Sequence, residues 1–273
     1  MEIVLSIAGS DPSAGAGIQQ DLKTVTALGC YGATVITAIT VQNTLGVTQV
    51  MEVPPDIVEA QLRAVLDDFD VRAIKMGMIP NRQVAEAIVR MLQPFVAQKA
   101  SLAVGQWPLP VVYDPVMVST SGHRLMSADS IDYICRHLFP LCTLITPNLP
   151  ETEVLAGQRL SSPDDIGLAG RSLVERYGCA FLLKGGHNSA DRLKAVDHLF
   201  CADGTVHTFS APRIASRNLH GTGCTLSSAI AARMAQGDSL PQAVAQAKAC
   251  LTSAIERSTN HDIGHGNGPL ILG

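Results

Sequence analysis

The chain has 273 residues, 47% of them hydrophobic, with 24 acidic against 20 basic side chains and a formal net charge of -4 at pH 7. Only 16% of residues are charged and the basic ones are scattered, so no footprint for nucleic acid or an anionic membrane surface is present, and no apolar run approaches the ~20 residues that span a bilayer. The N-terminal stretch MEIVLSIAGSDP lacks the basic start of a leader, and the seven cysteines include no CxxC pair, so a soluble cytoplasmic protein acting on small molecules is expected.

Along the chain, short β-branched runs alternate with longer amphipathic stretches. The runs are IVLSIAG (3–9), GATVITAITVQ (32–42), VRAIKMGM (71–78), PVVYDPVM (110–117), TLITPN (143–148) and AFLLKGG (180–186). That alternation predicts an α/β fold, a mostly parallel sheet covered by helices, and at this length one domain over residues 1–273 is the better expectation. A first helix is predicted from Ala14 to Leu28, with Ile18, Leu22, Val25 and Leu28 on one face and Gly29 just past its end. A last one starts near Ser239, where Ser239 and Gln242 have capping-box spacing, and runs to about Glu256. Gln98 to Pro110 reads as a surface excursion, and QRLSSPDDIG (158–167) as a loop leading into a helix. No repeat, low-complexity tract or composition shift marks a linker.

Nearly every strand-like run ends in a polar or glycine-rich cluster: Gly9-Ser10-Asp11, Gln42-Asn43, Gly77-Met78, Asp114-Pro115, Asn148 to Glu151, and Lys184-Gly185-Gly186. In a parallel α/β sheet the ligand crevice lies at those ends, so one site could collect them all. Any single cluster is also what an ordinary loop looks like. Together, carboxylates, a lysine and glycine turns suit a phosphate and a metal.

The stretch NLHGTGCTLSSAI (218–230) carries the sharpest chemistry. Gly221 and Gly223 permit backbone conformations closed to other residues, and the helix that follows turns its free N–H groups back toward Thr222 and Cys224. Such a helix start attracts a phosphoryl group and is expected to lower the pKa of a thiol held there, so Cys224 reads as a thiolate able to take a proton; the alternative is a packing cysteine. Asp21 projects into the apolar stripe of the first helix, where it needs either a structural partner or a ligand. Gln42 offers an amide edge to a ring, and Lys184 a cation to a phosphate. Asp114 and Glu151, with Asn148, supply oxygen ligands of the kind Mg2+ takes, although Asp-Pro and Asn are also turn and cap formers. Of the eight histidines none has metal-pair spacing, and His220, beside the anion hole, is the one to watch. No P-loop occurs, and GAGIQQ and GTGCTL lack the third glycine of a dinucleotide fingerprint.

The segments IAGSDPSAGAGIQQDLKT, ITAITVQNT, KMGM, DPVMVSTSGHRL, LITPNLPE, LLKGGH and NLHGTGCTLSSAI, ending at GHGNGP, occur in one order across almost the whole chain. In this the sequence resembles the hydroxymethylpyrimidine/phosphomethylpyrimidine kinases of thiamin biosynthesis, in the ribokinase-like superfamily. The resemblance implies a three-layer α/β/α fold, commonly a homodimer, and two successive ATP-dependent phosphorylations of 4-amino-5-hydroxymethyl-2-methylpyrimidine. Carried over, it implies that Gly9, Asp21, Gln42 and Met78 line the pyrimidine pocket, with Asp21 and Gln42 hydrogen-bonding the ring. Asp114, Asn148, Glu151 and Lys184 would serve Mg-ATP, with Asp114 and Glu151 toward the metal. Cys224 would be the base, and the N–H groups of Gly221, Thr222, Gly223 and Cys224 the anion hole, where sugar kinases of the superfamily carry an aspartate. Ala14 departs from the family pattern, which often has glycine there.

Three other readings compete. A pyridoxal or pyridoxine kinase shares the GTGC loop and a hydroxymethyl acceptor. A hydrolase with Cys224 as nucleophile needs a histidine base, for which His220 is the evident candidate. A ligand-binding module without turnover is argued against by the presence of Asp114, Glu151, Lys184 and Cys224.

Overall fold

The computed structural model describes residues 1–96, 109–117, 126–185 and 193–272. Six parallel strands form the centre of the sheet: β1 (Ile3–Ser10), β2 (Tyr31–Asn43), β4 (Val71–Met76), β5 (Val111–Tyr113), β6 (Leu144–Ile145) and β7 (Ala180–Leu183). Each falls on one of the six β-branched runs. Three more strands, β3 (Gly46–Glu52), β8 (Lys194–Phe200) and β9 (Val206–Pro212), pair antiparallel and complete the order β3-β2-β1-β4-β5-β6-β7-β8-β9. These margins lack the apolar runs of the centre because much of their surface stays wet, with β9 alternating exposed and half-buried residues throughout.

Successive residues of the central strands point to opposite faces, and the sequence supplies apolar groups to both. Leu5, Ile74, Val111, Ile145 and Phe181 enter one core with helices α2 (Pro55–Asp68) and α3 (Arg82–Val96). Their neighbours Val4, Ala73, Val112, Leu144 and Ala180 enter the other with α7 (Thr222–Ala235) and α8 (Leu240–Ser258). The result is the expected three-layer α/β/α arrangement. Between these pairs in sequence come α4 (Ala128–Tyr133), α5 (Leu149–Ala156) and α6 (Pro163–Tyr177). No helix among the described residues is long and apolar enough to cross a membrane.

One helix prediction needs adjustment. The first helix, α1, spans Gly17–Ala27, three residues shorter at its start than expected, because Ala14 adopts a left-handed turn at φ 56°. Its buried face is also more polar than the apolar stripe suggested. Gln20, Asp21 and Thr24 are fully buried, Leu22 and Leu28 only half, because α1 packs on α7 through side-chain hydrogen bonds. The capping pair before α8 is present, with the Gln242 Oε1 accepting from the N–H and the hydroxyl of Ser239. The expected excursion from Gln98 to Pro110 lies outside the described residues as far as position 108, as does the stretch 186–192.

β1 has β2 on one side and β4 on the other, so the chain reverses its direction of travel across the sheet at β1. That is where an open α/β sheet leaves a crevice beyond its strand ends.

Candidate active site

The floor of the crevice is set by the turn into α7. Gly221 sits at φ 86°, and a side chain there would place its first carbon 1.9 Å from the Gly15 carbonyl oxygen, so the position requires glycine twice over. Thr222, Gly223 and Cys224 then form the first helical turn, whose N–H groups have no partners within the helix. A first side-chain carbon at Gly223 would lie 2.8 Å from the Asp114 Oδ2 and 3.5 Å from the Lys184 Nζ. The absent side chain therefore brings a helix N-terminus, a cation and a carboxylate into one small volume.

Strand ends deliver those groups. Asp114 follows β5 and is 3% exposed, its Oδ1 accepting from the Lys184 ammonium at 2.7 Å and the Thr146 hydroxyl at 3.3 Å. Burial opposes the charge on Lys184, but Asp114 and Glu151 outweigh it and hold the ammonium above its ordinary range. Asn148 and Glu151 cap α5 reciprocally. The Asn148 side chain accepts from the Glu151 N–H at 2.9 Å, and the Glu151 Oε2 accepts from the Asn148 N–H at 2.8 Å. Both are thus cap residues as well as neighbours of Asp114 and Lys184. Burial pushes the Glu151 carboxyl up to about 7; Lys184 pulls it down and Asp114 adds to the rise.

Cys224 departs from the sequence expectation. Burial pushes its thiol up to about 11; Lys75 and a hydrogen bond from the Gly17 N–H oppose this, while Asp21 and Asp114 reinforce it. The resting form is the neutral thiol. The helix start was expected to produce a thiolate, and here desolvation and two carboxylates overcome it.

Asp21 has partners within the chain itself. It is fully buried, with both oxygens 2.8 Å from the Lys75 ammonium; Oδ2 accepts from the Ser6 hydroxyl at 2.6 Å and Oδ1 from the Ser228 hydroxyl at 2.8 Å. In this arrangement the carboxylate faces structural partners, the first of the two alternatives its position left open. Lys75, which sequence reasoning passed over, is itself fully buried, and Asp21 keeps it charged against the opposing effect of burial. Of the two charges in the run VRAIKMGM, Arg72 stands at its exposed start, and Lys75, between Ile74 and Met76, was the available signal.

The remaining predicted pocket residues do gather. A side chain on Gly9 would meet the Met78 sulfur at 3.2 Å, and Gln42 connects through the Thr40 hydroxyl, 3.2 Å from its Oε1, to the Ser10 carbonyl at 2.9 Å. Asp11, read in the sequence only as part of a polar strand end, emerges as the organiser of the loop that follows β1. His220 lies against both Asp11 and Gln42, at 2.9 and 3.2 Å. Among the described residues no cluster of three or more His, Cys, Asp or Glu forms a cage for a metal.

Comparison with known proteins places this geometry. The phosphomethylpyrimidine kinase family profile matches residues 11–271. The chain belongs to the phosphomethylpyrimidine kinase family. It is 44% identical over 269 residues to a hydroxymethylpyrimidine/phosphomethylpyrimidine kinase of Rhizobium meliloti, covering 98% of this chain and 96% of that one. The crystal structure of a phosphomethylpyrimidine kinase from Clostridium difficile superposes with a TM-score of 0.78 at 36% identity, covering 93% of this chain and 100% of that one. A pyridoxal kinase from Staphylococcus aureus, in complex with AMP-PCP and pyridoxal, superposes with a TM-score of 0.84 at 30% identity, covering 100% and 93%. This member of the phosphomethylpyrimidine kinase family is therefore a phosphotransferase on the ribokinase-like fold, and its crevice is the place to look for the transfer.

Proposed function

We propose that the enzyme transfers the γ-phosphoryl group of ATP to the hydroxymethyl oxygen of 4-amino-5-hydroxymethyl-2-methylpyrimidine, and a second phosphoryl group to the resulting monophosphate, giving the diphosphate used in thiamin assembly. The observation that carries this is the convergence of the α7 N-terminus, Lys184 and Asp114 beside Cys224, with Gly9 packed against Met78 and Gln42 linked through Thr40 to the end of β1. The acceptor oxygen attacks phosphorus, the bond to the bridging oxygen breaks to release ADP, and the hydroxyl proton passes to Cys224 in the minor fraction that has already lost its own proton to solvent. Phosphoryl transfer asks mainly for positioning and charge stabilisation, so the N–H groups of Gly221, Thr222, Gly223 and Cys224, together with Lys184, contribute more than the base. This ordering suits a thiol whose resting form is neutral.

Asp114 and Glu151 fit a Mg2+ that arrives with the nucleotide. They are two carboxylates that no third His, Cys, Asp or Glu joins among the described residues, and Mg2+ is held by one or two carboxylates, waters and phosphate oxygens. The ion would neutralise charge on the phosphates, and Asn148 would hold Glu151 in place through the cap. Two further parts of the reading concern the chain's surroundings. Ile39, Val41 and Met51 expose 43%, 54% and 56% of their surface on one face of the β2–β3 hairpin, which favours a homodimer closed over that face. None of the seven cysteines is in a disulfide, in keeping with a cytoplasmic setting.

The test is product analysis by mass spectrometry with Mg-ATP and either the pyrimidine or pyridoxal. Monophosphate followed by diphosphate from the pyrimidine is expected. Phosphorylation of pyridoxal alone would favour the second reading, B6 kinase activity, which the higher structural similarity to a pyridoxal kinase supports.

A further inference from the structure

Asp11 is 2% exposed and its two oxygens are crowded. Oδ1 accepts from the N–H and the hydroxyl of Ser13 at 2.9 and 2.7 Å, and Oδ2 from the N–H groups of Gly15 and Ala16 at 3.2 and 2.9 Å. The same Oδ2 is 2.9 Å from the Nε2 of His220, a side chain 6% exposed that immediately precedes the anion-hole turn. A first carbon on Gly15 would lie 2.3 Å from the His220 ring, so the glycine is what lets the imidazole reach Asp11. The His220 N–H donates to the Gly268 carbonyl at 3.1 Å, fixing the backbone from the other side. His220 thus ties together the loop after β1, the turn into α7 and the end of β2.

A count of protons then orients Gln42. A carboxylate 2.9 Å from Nε2 places the imidazole proton on that nitrogen, so Nε2 is a donor whose single proton is shared between Asp11 and the second group facing it. The Gln42 amide group 3.2 Å from it must present an acceptor, which is the carbonyl oxygen and not the NH2. The other end of the amide agrees. Thr40 has one hydroxyl proton, the Ser10 carbonyl at 2.9 Å can only accept it, and the Thr40 oxygen is left to accept from an amide N–H. One orientation of the amide satisfies every group, with its carbonyl toward His220 and its NH2 toward Thr40.

We infer that His220 is a positioning residue for acceptor recognition: held by Asp11, it fixes the Gln42 amide with one N–H and one carbonyl lone pair left over for a ring that offers an acceptor next to a donor. An aminopyrimidine edge has that pattern, and a pyridine ring bearing a hydroxyl does not have it in the same form. This rests on the reading of Gln42 as a pocket residue.

Steady-state kinetics of Gln42→Ala, His220→Ala, the double variant and Gly15→Ala test it, with both substrates varied and thermal unfolding recorded for each. Loss of one fixed hydrogen bond is expected to raise the KM for the pyrimidine about tenfold in His220→Ala, with kcat and the KM for ATP within about threefold. The double variant is expected to be no worse than Gln42→Ala alone, because His220 acts through Gln42. Gly15→Ala, which keeps the imidazole and displaces it, is expected to reproduce the KM increase, and it carries the test if His220→Ala does not fold. Additive effects in the double variant, or a His220→Ala loss confined to kcat or to the KM for ATP, would overturn the inference alone. An unchanged pyrimidine KM in Gln42→Ala would overturn the pocket reading and the inference with it.

Discussion

Replacing Lys75 by methionine tests whether the Asp21–Lys75 pair is structural. Both side chains are fully buried, and the variant leaves the Asp21 carboxylate with only the hydroxyls of Ser6 and Ser228. Breaking a buried pair by removing one partner costs about 3–5 kcal/mol, since the other charge is left uncompensated. At about 2.1 cal/mol/K per residue, the unfolding entropy of this chain is about 0.6 kcal/mol/K, so Tm should fall by about 5–9 °C. Asp21→Asn should fall comparably, and Lys75→Met with Asp21→Asn should recover about 2 kcal/mol or more of the summed loss, because no buried charge remains. Thermal and denaturant unfolding of the four proteins measures this. The reasoning is refuted if either single variant moves Tm by less than about 2 °C, or if Asp21→Asn keeps its Tm and raises the KM for the pyrimidine instead.

Other expectations follow from the same site. Cys224→Ala should lower kcat strongly while ATP affinity, measured by calorimetry, changes little; undiminished turnover would remove Cys224 as the base. With its thiol at about 11, Cys224 in the free enzyme should alkylate slowly at pH 8, and its rate should still be climbing at pH values where an ordinary thiol has levelled, as site-resolved mass spectrometry would record. The Glu151 carboxyl, raised to about 7, makes the opposite contribution to that of a salt-bridged carboxylate: the fold favours the protonated form, so its stability is present below the ordinary carboxylate pKa and lost as pH rises through 7. Without nucleotide, Glu151→Gln should therefore gain in Tm over the parent as pH goes from 5 to 8, and a flat difference would contradict the assignment. Ala14→Gly relieves a left-handed alanine at φ 56° and, after the entropy of the added glycine, should stabilise by about 0.5–1 kcal/mol, a rise of about 1–2 °C in Tm.

What the sequence disclosed follows from which forces act locally. The six central strands were legible because a strand covered on both faces is apolar at most positions, as Val4-Leu5, Val111-Val112 and Leu144-Ile145 are. β3, β8 and β9 carry no such run, since exposed and half-buried positions interrupt their buried ones or replace them, and they were not predicted. Of the site, the glycine turn before α7 and the strand-end clusters could be read because glycine, proline and carboxylates act through the local backbone. The state of Cys224 could not. A helix N-terminus favours a thiolate, but the sign of the net effect depends on how deeply the sulfur is buried and on Lys75, Asp21 and Asp114, which reach it from three other elements. The partners of Asp21 could not be read for a related reason. An inward carboxylate announces that a partner exists, and only the register of β1 beside β4, which places Ser6 opposite Lys75, and the contact of α1 with α7, which brings in Ser228, reveal that the partners are already within the chain.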